Sequence, residues 1–90
     1  MELAASEVNT FLKGIENHAR AGNFDQASIQ TRILLDRLEA AIQDHADASF
    51  EFRKALPLVR QVLEDSSHSD SRSVIGHLHQ AQLALGFSPE

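Results

Sequence analysis

The run Ala21-Gly22-Asn23-Phe24-Asp25-Gln26-Ala27 ends one amphipathic helix and opens another within three residues, and no other stretch constrains the fold so tightly. Glycine adopts the left-handed backbone that closes a helix C-terminus. Asn23 stands where an N-cap belongs, and Gln26, three residues on, occupies the second position of a capping box. Helices joined this closely lie antiparallel, so the first half of the chain reads as a helical hairpin.

The flanking periodicity agrees. Met1, Ala5, Val8, Leu12, Ile15 and Ala19 advance by fours and threes along one stripe, widened by Ala4 and Phe11. Gly14 interrupts that helix at a cost of up to about 1 kcal/mol, which suggests a close helix contact at this point. From Phe24 the pattern resumes through Ala27, Thr31, Leu34, Leu38 and Ala41, with Ile29, Ile33 and Ala40 on a second, partly opposed face. A third apolar run follows in Phe52, Ala55, Leu56, Val59, Val62 and Leu63. Pro57 lies inside it, where its missing N–H kinks a helix or marks its start.

Two layouts are compatible with this pattern: separate second and third helices, or one long helix bent at Pro57. The first is favoured, because Asp44, Asp47 and Ser49 each offer a cap for a new helix. Asp65–Ser73 is small and polar, so residues 66–72 are expected to form a mobile linker. A short stripe of Val74, Leu78, Ala81 and Leu85 then ends at Gly86, with Phe87 placed to fold back onto the last turn. The expected fold is all-α: residues 1–90 form a single domain, a small antiparallel up-down bundle of four helices.

Composition excludes several function classes. The net charge of -5 disfavours a nucleic-acid backbone as partner, and the absence of Trp and Tyr removes the usual stacking platforms for bases. No apolar run reaches the length of a membrane span, so no membrane partner is expected. The lack of cysteine excludes disulfides and thiolate metal sites, and points to a cytoplasmic setting.

Chemical constellations are equally sparse. Phe11-Leu12-Lys13-Gly14 has the Leu-Lys-Gly of a histidine phosphotransfer motif, but phenylalanine stands where the phosphoacceptor histidine belongs. A phenyl ring accepts no phosphoryl group. His77 and His79 are two apart, which on a helix separates them by roughly 200°, and no histidine pair has the i,i+3 or i,i+4 spacing of shared ligands. The serines and histidines of residues 66–79 lack a glycine-framed nucleophile turn. No catalytic residue, cofactor or metal site is therefore assigned. Gly22-Asn23-Phe24-Asp25-Gln26-Ala27 also matches the turn of a tetratricopeptide repeat, but Leu56 stands about 34 residues later where a second glycine belongs.

What remains is more apolar surface than one stripe per helix requires. Ile29, Ile33, Phe50 and Leu58 are the candidate partner-binding residues, facing either a client helix or a second copy of the chain. In the order of its features the chain resembles the small helical chaperones of flagellar and type III export, of the filament-cap chaperone type. The features are an N-terminal helix, a turn bearing the aromatic-Asp pair Phe24-Asp25, a leucine-rich helix opened by an arginine, a further helix and a detachable C-terminal helix. The leucine-rich element reads Arg32-Ile33-Leu34-Leu35-Asp36-Arg37-Leu38, one residue out of step with Arg-x-x-Leu-Leu-x-x-Leu. The resemblance implies a cytoplasmic protein without enzymatic activity that shields apolar surface of an export client through its second and third helices.

Overall fold

The computed structural model describes residues 5–44 and 50–87. They form four helices, α1 (Ala5–Arg20), α2 (Phe24–Asp44), α3 (Phe50–Ser67) and α4 (Ser71–Ala84). Each helix packs on its neighbours in chain order, and α4 closes the ring against α1, which makes an all-α four-helix bundle. The sequence stripes become the core: Val8, Leu12, Ile15 and Ala19 of α1, Ala27, Leu34, Leu35 and Leu38 of α2, Phe52, Ala55, Val59 and Val62 of α3, then Val74, Leu78, Ala81 and Leu85. Thr31 joins this buried set because its hydroxyl donates to the Ala27 carbonyl at 2.6 Å, leaving no orphaned polar atom.

α2 and α3 pack against one another as separate helices, so the long bent helix is not formed. The candidate caps Asp47 and Ser49 lie outside the described residues. Pro57 neither starts nor divides α3, which runs through it. Its ring is exposed, and only the hydrogen bond to the Arg53 carbonyl is missing.

The α1–α2 turn closes as the glycine foretold. Gly22 has φ +81°, its N–H donates to the Ala19 carbonyl at 3.1 Å, and the Asn23 N–H donates to His18 at 2.8 Å. These two bonds define a Schellman motif. The capping box is not formed, however. The hydrogen bonds of this turn are main-chain ones, and Asn23 contributes through its carbonyl, which accepts from the Ala27 N–H at 3.0 Å.

Residues 66–72, expected as a mobile linker, are instead the last turn of α3, a tight connection and the first turn of α4. The Ser69 N–H donates to Ser66 and the Asp70 N–H to Asp65, both at 3.1 Å, with Ser69 at φ 55°. This is the Gly22 motif with serine in the left-handed position. Asp70 then caps α4, accepting from the Ser73 N–H at 3.2 Å and the Ser73 hydroxyl at 2.8 Å. Small polar residues here are turn chemistry rather than slack. A third such closure follows α4, with Gly86 at φ +90° and the Phe87 N–H on the Gln82 carbonyl at 2.9 Å. Phe87 packs back on the core.

Candidate functional site

Three polar side chains of α4 reach across to neighbouring helices. His77 and His79 diverge as their spacing requires. His77 Nδ1 donates to Asp65 Oδ2 of α3 at 2.6 Å, and His79 Nε2 donates to Glu16 Oε1 of α1 at 3.1 Å. Gln61 donates to the other Asp65 oxygen at 3.1 Å, and Arg20 holds Glu16 at 2.8 Å. Farther along α4, Gln82 donates to Asn9 Oδ1 at 2.9 Å. Among the described residues no group of three or more His, Asp or Glu is gathered as a metal would need. The Asp70 carboxyl is held below its ordinary range. The Ser73 hydroxyl, and after it the Ser73 amide, lower its pKa by bonding the charged form.

The apolar candidates divide. Ile29 is 49% exposed and Ile33 43%, one turn apart on α2 and turned away from Leu34 and Leu38. Phe50, at the start of α3, is 67% exposed. Leu58 is not part of an open surface: it is half-buried and packs against the core. Because α3 continues through Pro57, the register of Ala55, Val59 and Val62 is unbroken. Leu58, one residue before Val59, is thereby turned to the flank of the core. The sequence reading also missed Leu83, which is 61% exposed. Its position two residues from both Ala81 and Leu85 places it on the far side of the α4 stripe, so spacing alone carried that signal.

The α1–α2 seam opens into a shallow groove of about 390 Å³, lined by Thr10, Phe11, Gly14, His18 and Gln30. Gly14 forms no close helix contact. A Cβ there would meet nothing within 4 Å, so the glycine leaves the groove open between Phe11 and His18. Arg37 lies over Phe11, its guanidinium 5.6 Å from the ring centroid and 3.0 Å from Glu7. Gln30 carries the groove onto α2 between Ile29 and Ile33 in sequence. Ile29 and Ile33 are exposed on α2 outside the groove lining, whereas Phe50 belongs to α3.

Comparison of the chain with protein-family models, curated proteins and solved structures finds no match. Among the described residues no helix is long and apolar enough to cross a membrane.

Proposed function

We propose that this protein is a non-enzymatic interaction module of the export-chaperone kind, which shields apolar helical surface of a client protein in the cytoplasm. The observation that carries this reading is the pair Ile29 and Ile33. Both stand nearly half exposed on α2, while the core is filled without them. Scattered single apolar residues are ordinary on a protein surface, but two β-branched residues one turn apart on one exposed helix side make a contiguous patch. A client helix placing apolar residues at i, i+3 and i+4 fits such a face. His77, His79 and Gln82 of α4 favour the same reading, because their partners lie in α3 and α1 and leave them to structural work.

Replacing Ile33 with aspartate tests the proposal. Helical content by circular dichroism is expected to survive, since no core contact is lost, and capture of the client from the native host is expected to fail. Unfolding of the variant would place Ile33 in the core and remove the surface. Sedimentation of the unmodified protein decides between a client and a second copy of the chain: a dimer that Ile33→Asp dissociates assigns the face to self-association.

A further inference from the structure

The exposed face of α3 differs in charge from the rest of this acidic chain. Arg53–Arg60 contains three cations, Arg53, Lys54 and Arg60, and no acidic residue, in a protein of net charge -5. Phe50, Arg53, Lys54 and Pro57 follow the i, i+3, i+4, i+7 spacing of one helix side, and all four are exposed. The Lys54 ammonium lies 4.5 Å from the Phe50 ring centroid, so cation and aromatic form one unit. Arg60 reaches only as far as 3.8 Å from Glu39 of α2, an exposed pair that solvent and salt weaken. Pro57 adds a further feature. Because it has no N–H, the Arg53 carbonyl on this side lacks its i+4 donor.

We infer that this face of α3 docks an acidic helix of a partner protein, with carboxylates meeting Arg53 and Lys54 and an apolar residue covering Phe50 and Pro57. The inference rests on the interaction-module reading and supplies the partner chemistry at Phe50. Charge complementarity selects the occupant. Arg53 and Lys54 beside an exposed aromatic, with Arg60 farther along the helix, attract a local row of carboxylates, while the overall negative charge repels extended polyanions such as a nucleic acid or an anionic bilayer. Glu51 and Glu64 bound the basic segment along α3 and limit the row to the length of a short helix.

The test is a nuclear magnetic resonance titration of the isotope-labelled full chain. Its probe is a synthetic amphipathic helix with glutamates flanking a leucine stripe, compared with the same helix carrying lysines and with phosphatidylserine vesicles. Amide shifts are expected at Phe50, Arg53, Lys54 and Arg60 with the glutamate helix alone, weakening as salt is raised. Reversing charge in Arg53→Glu/Lys54→Glu is expected to weaken binding on the order of tenfold or more. Phe50→Ser, at an exposed position, serves as the second variant should charge reversal disturb folding, and is also expected to weaken binding. Shifts confined to Ile29 and Ile33 would overturn the α3 assignment while leaving the interaction module standing. Equal response to the lysine helix, binding to the vesicles instead, or no response to the glutamate helix would each overturn the inference.

Discussion

Two tight connections among the described residues, α1–α2 and α3–α4, have the same backbone and opposite chemistry. Between α1 and α2, glycine takes the left-handed position and Asn23 enters the next helix on its main chain alone. Between α3 and α4, serine takes that position, at φ 55°, and Asp70 binds Ser73 twice. The first turn has a relaxed exit and a bare entry; the second has a strained exit and a fully capped entry. They meet at one end of the molecule, where Ser69 and residues Gly22–Gln26 line a shallow polar depression of about 390 Å³. The lesson is that the backbone demands two things of a tight helical hairpin, left-handed closure and satisfied N–H groups, and a sequence can meet either one imperfectly if the other is met well.

Four substitutions probe this contrast. Gly22→Val forces a β-branched residue to φ +81° and is expected to lower stability by about 2 kcal/mol, read from urea unfolding. Open space surrounds that position, so the loss is conformational rather than steric. Asp70→Ala is expected to lower the unfolding midpoint less than Gly22→Val does, and more than Asn23→Ala does. Because Ser73 lowers the Asp70 pKa, the cap contribution is present at neutral pH and is lost as pH falls below about 4. A wild-type advantage over Asp70→Ala that did not shrink as pH was lowered from neutral through the carboxylate range would break the capping account.

The exit of the second turn responds in the opposite direction. Ser69→Gly relieves a left-handed strain of about 1 kcal/mol or more, offset by the roughly 0.5–1 kcal/mol that glycine's extra unfolded freedom costs. A net gain of up to about 0.5 kcal/mol in the same unfolding assay is the expected result. Smallest of all is Asn23→Ala. With no side-chain cap to remove, it is expected to stay within about 0.5 kcal/mol of the unmodified protein. A loss of about 1 kcal/mol at Asn23 would mean that its side chain caps α2 in solution, and would erase the difference between the two turns.

The same contrast explains what was legible beforehand. Gly22 and Gly86 announced their turns because glycine is the residue most at ease with positive φ. Ser69 gave no such sign, so a structured connection looked like a linker until the main-chain bonds from Ser69 and Asp70 placed it. Ile29 and Ile33 were readable as a second face because they depart from the α2 stripe, whereas Leu58 was misplaced because its direction depended on whether Pro57 broke α3. The basic face of α3 was present in the residue string, but its meaning required knowing that Phe50, Arg53, Lys54 and Pro57 share an exposed side.

By itself the sequence determined what is local: four amphipathic stripes with a helical period, glycine closures after α1 and α4, and a chain with neither cysteine nor a membrane-spanning run. Those features follow from backbone stereochemistry and side-chain polarity within a few residues of each other. Only the tertiary structure decided which stripe residues stayed exposed, that His77 and His79 bond to different neighbouring helices, and that Gly14 opens a groove rather than closing a contact. Each of these depends on residues distant in the chain, as in the pairing of His79 with Glu16 across 63 positions. Periodicity says which side of a helix is apolar, but packing against the other helices decides how much of that side is used.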